Sequence, residues 1–162
     1  MRELFCIGLM ALLPAAAAGC GDSGSSANPP PVPVKAAKPA ARGTTVSVKV
    51  LRTRYGRILV DGHGRALYLF TREATTRARC YGACAQAWPV FFAKGPVHAG
   101  SGAKAALVGT TTRRDGRRQV TYNGHPLYYY VTDRAPGQVT CQNVAEYGGT
   151  WLVVAPSGVA VR

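Results

Sequence analysis

The chain predicts a mainly β protein: two tandem antiparallel β units packed with pseudo-two-fold symmetry, with little helix. Three observations carry this. A phrase is written twice: Gly64-Arg65-Ala66-Leu67-Tyr68-Leu69-Phe70-Thr71-Arg72-Glu73 returns as Gly124-His125-Pro126-Leu127-Tyr128-Tyr129-Tyr130-Val131-Thr132-Asp133, and a Trp follows each copy, Trp88 and Trp151. Such self-similarity marks a repeat architecture. Short β-branched and aromatic runs bounded by Gly, Asn and Asp dominate both halves, which is the pattern of strands and tight turns. Finally, residues 44–162 suffice for one ordinary domain and are too few for two independent ones. The repeats run over about 44–95 and 108–156.

Element by element, Thr44 to Leu51 alternates Val with polar residues and reads as a strand. Ile58-Leu59-Val60 leads into the turn Asp61-Gly62-His63-Gly64, and Ala66 to Phe70 returns to make a hairpin. Cys84 to Trp88 and Gly102 to Val108 each have room for a turn or two of helix. In the second repeat, Arg118 to Tyr122 enters Asn123-Gly124, a strong hairpin signal because both residues tolerate positive φ, and His125 to Tyr130 returns. Trp88 to Phe92 and Trp151 to Val154 read as the last main strand of each unit, with Val159-Ala160-Val161 closing an edge. Side chains alternate along a strand, so Tyr68 and Phe70 share one face opposite Leu67 and Leu69, and Tyr128 and Tyr130 share one opposite Leu127 and Tyr129. Strands apolar on both faces are interior, which places the repeated phrase centrally.

Ahead of the domain stands an export signature. Residues 1–19 combine Arg2, the apolar run Leu4 to Leu13, and a small-residue tract ending at Ala18-Gly19 before Cys20. The run is shorter than the ~20 apolar residues that a spanning helix needs. Ala18-Gly19-Cys20 resembles a bacterial lipobox, which implies acylation of Cys20; Ala17 departs from the Leu usual there. Residues 20–43 lack aromatics and are rich in Pro and Ala, the composition of a stiff, extended spacer rather than a folding unit. The expected partner of this end is therefore a membrane, on its extracytoplasmic side.

Charge is the strongest compositional signal. The chain has a formal net charge of +13, and residues 44–162 hold sixteen Lys/Arg against five Asp/Glu. Arginines cluster at Arg52, Arg54 and Arg57, and again at Arg113, Arg114, Arg117 and Arg118. Such a surface steers polyanions. Export argues against nucleic acid as the cellular partner and favours anionic envelope polymers or lipids, with the second Arg cluster as candidate anion-binding residues; the alternative is that the scattered arginines only keep the domain soluble.

The set Gly56-Arg57-Ile58-Leu59-Val60, Leu67-Tyr68-Leu69-Phe70, Cys80-Tyr81-Gly82-Ala83-Cys84 and Trp88-Pro89, with Val120-Thr121-Tyr122-Asn123-Gly124, Leu127-Tyr128, Asp133-Arg134-Ala135-Pro136-Gly137 and Gly148-Gly149-Thr150-Trp151, resembles the bacterial secreted-repeat lipoproteins marked by a Tyr-x4-Asp motif. The likeness covers most of residues 56–155. Glu73 stands where the first Asp belongs, and Cys141 where a small or polar residue is usual. That family has no established activity, so the resemblance implies a location and no mechanism.

The repeat motif residues Tyr68, Phe70, Glu73, Tyr128, Tyr130 and Asp133 have two readings. In one, Tyr128 with Asp133 and Tyr68 with Glu73 line a binding cleft between repeats. In the favoured one, the acids are buried and persist because turn amides and tyrosine hydroxyls satisfy them. The longer Glu73 is expected to make the first site unlike the second. Outside the cytoplasm Cys80, Cys84 and Cys141 allow one disulfide and one leftover. The local Cys80–Cys84 pair is favoured by proximity; a cross-repeat bridge from Cys141 is the rival, and a free Cys141 would be a reactive thiol or a dimer link.

Catalytic signatures are missing. There is no Cys-x-x-Cys and no Gly-x-Ser-x-Gly, and His63, His98 and His125 lack the paired spacing of metal ligands. No cofactor or metal is expected. The sequence thus points to a non-catalytic, envelope-anchored binding or scaffolding module. The alternative is a redox or cofactor-binding protein using Cys80, Cys84 and Cys141 or the Tyr–acid cleft.

Overall fold

In a computed structural model the hairpin that opens the domain joins β1 (Val46–Thr53) to β2 (Gly56–Asp61), with Thr53 opposite Gly56 across a two-residue turn. The structure describes residues 45–73 and 76–162; the signal segment, Cys20 and the linker lie outside them. Gly56 has φ 83°, a left-handed conformation that glycine adopts without the Cβ clash. β4 (Val97–Ala99) lies parallel to β1 on its other side, Val46 beside Val97. β3 (Tyr68–Phe70) pairs antiparallel with β9 (Gly149–Val153), and β9 pairs with β8 (Val144–Glu146). β5 (Val108–Thr112), β6 (Arg118–Tyr122) and the short β7 (His125–Pro126) form the third sheet. Among the described residues, helix is confined to α1 (Ala83–Ala87) and a 3₁₀ turn over Ala105–Leu107.

The fold is mainly β and antiparallel, built from two repeats, but the repeats do not close on themselves. The turn after β2 forms as the sequence predicts: the Asp61 amide donates to Arg65 O at 2.9 Å and the Leu67 amide to Leu59 O at 3.0 Å. After a single bridge between Val60 and Ala66 the chain leaves the hairpin, and β3 pairs with β9 of the other repeat. The second repeat mirrors this. Asn123 (φ 50°) and Gly124 (φ 79°) make the expected turn, with Tyr122 opposite His125. The chain then departs, and the Tyr129 amide donates to Pro89 O at 2.8 Å. Equivalent bonds recur in both halves: Leu59 N to Val154 O at 2.8 Å, and Val120 N to Phe91 O at 2.9 Å. The two copies of the phrase meet where Tyr68 N donates to Tyr128 O at 2.9 Å and Tyr128 N to Tyr68 O at 3.0 Å. A pseudo-two-fold axis runs between these two residues. A strand apolar on both faces needs cover on both, and exchange between repeats supplies it.

Alternation then divides the core into two layers. Tyr68, Phe70, Tyr128, Trp88 and Trp151 fill one face, and Leu67, Leu69, Leu127, Phe91 and Leu152 the other. Within the first layer four rings form a column. Phe70 stacks on Trp151 (centroids 4.2 Å apart), Trp151 on Trp88 (4.1 Å, planes 2° apart) and Trp88 against Tyr130 (4.6 Å). Tyr68 meets Trp88 edge-on and Tyr128 meets Trp151 edge-on, both at 5.2 Å. Every pair joins one repeat to the other except the Tyr68–Trp88 and Tyr128–Trp151 edges, so the column ties the halves together by offset and edge contacts of aromatic quadrupoles.

Several elements depart from the sequence reading. Residues 88–92 make only single bridges at Val90 and Phe92, because Pro89 has no amide to donate to a ladder. β5 is a strand although Val108-Gly109-Thr110-Thr111-Thr112 shows no apolar alternation; its full antiparallel register with β6 holds it. The parallel strand β4 is likewise maintained by pairing with β1 rather than by its own pattern.

Candidate functional site

Strand exchange brings the repeated tyrosines and acids together crosswise. The Tyr68 hydroxyl, from the first repeat, donates to Asp133 Oδ2 in the second. The Tyr128 hydroxyl, from the second, donates to Glu73 Oε1 in the first at 2.8 Å. All four residues are almost fully buried. The acids also gather the loop that follows each of them. Asp133 Oδ1 accepts from the Thr140 amide (3.0 Å) and hydroxyl (2.6 Å), and Glu73 Oε1 from the Arg79 (2.6 Å) and Cys80 (3.1 Å) amides. Burial, the largest cause, and the adjacent carboxyls push both tyrosine hydroxyls far above their ordinary range, so they stay protonated donors.

The two sites differ in chemistry as well as in chain length. Both Asp133 oxygens have partners, whereas Glu73 Oε2 is buried without one. Burial drives the Glu73 carboxyl above its ordinary value, outweighing the two amides, the Tyr128 hydroxyl and the positive charge of Arg113. Arg113 departs from the exposed anion-binding role that its sequence cluster suggests. It is 4% exposed, and its guanidinium donates to Gln119 Oε1 and Cys80 O, both at 2.6 Å. Its position at the end of the β5 ladder points it inward, where it holds Gln119 and the Cys80 loop. Arg114, Arg117 and Arg118 are exposed, but Arg117 pairs with Asp115 at 2.8 Å and Arg118 donates to Thr110 Oγ1 at 2.8 Å.

Cys80 and Cys84 form a disulfide that ties the loop before α1 to the helix's first turn, with Cα atoms 5.3 Å apart. Cys141 is free and buried beside Tyr130. Desolvation raises its thiol above the ordinary range, so the neutral form prevails; a reactive thiolate or a surface dimer link does not fit this position. Of the aromatic motif residues, Phe70 is buried and Tyr130 half-buried, both in the ring column. Sequence reading missed a third tyrosine–acid bond, from Tyr129 to Asp61 Oδ2 at 3.0 Å; Asp61 Oδ1 accepts the His63 and Arg65 amides. Nothing local in the sequence announces that pair. Among the described residues no group of three His, Cys, Asp or Glu side chains is placed to hold a metal ion.

One surface feature collects residues that the sequence scatters. Arg72, Arg77, Arg79, Tyr81, Arg113 and Arg114 line a cleft of about 570 Å³ beside the Cys80–Cys84 loop. Arg77 and Arg79 alternate along the chain only a few residues from Arg72, a signal that sequence reading could have used.

Exchanged β strands, crossed tyrosine–acid bonds and a shared aromatic column define a protein of two interdependent β repeats. The chain belongs to the family described as a secreted repeat of unknown function, whose profile matches residues 49–91 and again 109–155. No curated protein and no solved structure gives a significant match. A secreted repeat implies export, and no helix among the described residues is long and apolar enough to cross a membrane.

Two outcomes follow from this geometry. Tyr68→Phe strands Asp133 Oδ2 in the core and should cost about 2–3 kcal/mol in denaturant unfolding; Tyr128→Phe should cost about 1, because Glu73 Oε1 keeps two amides. Equal costs would show that the neighbouring donors do not compensate. Glu73 binds its proton more tightly folded than unfolded. Its contribution to stability is therefore fully present below the unfolded value of about 4.5 and is lost as pH rises through the raised one. Relative to the parent, Glu73→Gln should gain stability as pH rises across that interval, measured by melting temperature; a difference independent of pH would mean the carboxyl titrates normally.

Proposed function

We propose that the protein is a lipid-anchored, non-catalytic binding or scaffolding module of the cell envelope whose arginine-rich surface takes anionic envelope ligands. The observation that carries this reading is the fate of the acids. Of the five carboxylates in residues 44–162, Asp61, Glu73 and Asp133 are buried, leaving only Asp115 and Glu146 near solvent. Fifteen of the sixteen basic residues there remain at least partly exposed, all but Arg113. The surface is thus more one-sided in charge than the composition, and a field of one sign attracts polyanions over many ångströms.

Burial of the repeated residues supports the non-catalytic part. Tyr68, Tyr128, Glu73 and Asp133 bond to one another and to backbone inside the core, and do not line an open cleft between repeats. The redox alternative is weakened by burial: Cys80, Cys84 and Cys141 all lie in the core, where an exchanging thiol has little access to sulfur. The lipid anchor is supported by Ala18-Gly19-Cys20 and the Pro-rich spacer that follows.

Two measurements test the reading. Retention on heparin, a model polyanion, should fall steeply with salt, by more than about tenfold in affinity between roughly 50 and 200 mM. Salt-insensitive retention, or none at low salt, would remove the anion-binding role. Cys20→Ala should move the exported chain from the membrane fraction to the soluble one; a variant still membrane-bound would show that Cys20 is not the anchor.

A further inference from the structure

We infer that the cleft bounded by Arg72, Arg79 and Arg114 is a specific binding site for a phosphate ester, in which guanidinium groups grip the phosphate. The inference deepens the reading of the chain as a binder of anions and depends on it. Among the described residues that line this cleft none is a carboxylate, and Thr112 adds a hydroxyl to the arginines. Glu73 lies behind it with one oxygen committed to the Arg79 and Cys80 amides.

Two of these arginines, Arg72 and Arg114, are also held before any ligand arrives. Arg72 Nη1 donates to Tyr147 O at 3.0 Å, which positions the side chain and leaves the rest of the fork available. Arg114 lies 3.8 Å over the Tyr81 ring, and its own amide donates to the Tyr81 hydroxyl at 3.1 Å. Arg113 lies over the same ring at 4.1 Å while its nitrogens hold Gln119 and Cys80 O. Arg113 is thus a positioning residue: it fixes Tyr81, and Tyr81 fixes Arg114. The Cys80–Cys84 disulfide pins the loop that carries Tyr81. Ordering flexible arginines is a large part of the cost of anion binding, and the fold meets it for Arg72 and Arg114.

Phosphate is the anion this arrangement fits. A guanidinium offers parallel N–H donors matched to two oxygens of one anion. A tetrahedral phosphate presents edges to several such forks at once, whereas a planar carboxylate offers one. The volume, about 570 Å³, exceeds what one phosphate fills and leaves room for the alcohol it esterifies, a glycerol or a sugar. The neighbouring cleft beyond Tyr81, of about 470 Å³, is a poorer candidate because Asp115 lines it and already pairs with Arg117.

The test is calorimetric titration of the full-length chain in nonionic detergent with inorganic phosphate, with glycerol 1-phosphate, and with micelles containing lysophosphatidylglycerol. Saturable binding of glycerol 1-phosphate is expected. Arg72→Gln and Arg114→Gln should each weaken it about tenfold, and Arg114→Lys several-fold because the charge stays but the fork goes. Arg118→Gln, the same charge change outside the cleft, should leave it within about twofold. Tighter binding of the lysolipid than of glycerol 1-phosphate assigns the ester to the membrane surface; equal binding assigns it to a non-lipid ester, and either outcome supports the site. Equal losses for Arg118→Gln and Arg72→Gln would overturn the cleft while leaving diffuse polyanion binding intact. No heat from any phosphate, with heparin retention preserved, would overturn it in the same way. Loss of heparin retention as well would remove the underlying reading too.

Discussion

The structure depends on one reciprocal contact, the pairing of Tyr68 with Tyr128. Their amides and carbonyls close a two-bond ring across the pseudo-two-fold axis, and each hydroxyl crosses to the acid of the opposite repeat. A buried carboxyl without partners costs several kcal/mol, and each repeat relieves that cost only in part with its own loop, the remaining donor coming from the other repeat. The crossing also explains why the ring column is shared. Once β3 has left its own hairpin to lie against β9, Phe70 lands on Trp151 and Tyr130 on Trp88 with no further adjustment.

Much of this was legible in the residues, for a clear reason. The period-2 alternation of Leu67, Tyr68, Leu69 and Phe70, apolar on both faces, required a strand covered on both sides, and the duplication supplied two of them. The Asn123-Gly124 turn was legible because its conformation is local. Partner choice was not. A strand's own pattern states which faces are buried but not which neighbour buries them, and the exchange between repeats is decided by long-range fit. Weak strands such as β4 and β5 were unreadable for the complementary reason: pairing holds them, not composition.

The site was legible to a lesser degree. That the repeated acids would be satisfied inside the fold follows from how rarely unpaired acids are buried. That Tyr68 would reach Asp133 rather than Glu73 does not follow from any spacing. The Arg113–Arg118 cluster looked uniform in sequence because charge was counted without direction. In the fold these arginines separate into a buried brace (Arg113), a stacked surface group (Arg114), a self-neutralised pair (Arg117 with Asp115) and a residue bonded to a threonine (Arg118). The cleft drew instead on Arg72, Arg77 and Arg79, which the repeat phrase had hidden at its own acidic end.

The crossed bonds dictate the order in which the molecule can assemble. The contact from Tyr68 to Asp133 spans 65 residues, and that from Tyr128 to Glu73 spans 55. Contacts this distant demand that a long stretch of chain be ordered before any of them forms, which makes folding slow and all-or-none. A first repeat emerging alone from a translocation channel has no β9 for its β3 and no Tyr128 for its Glu73. It waits, with an apolar strand exposed on both faces, until the second repeat has followed. During that interval the chain is at its most prone to aggregation.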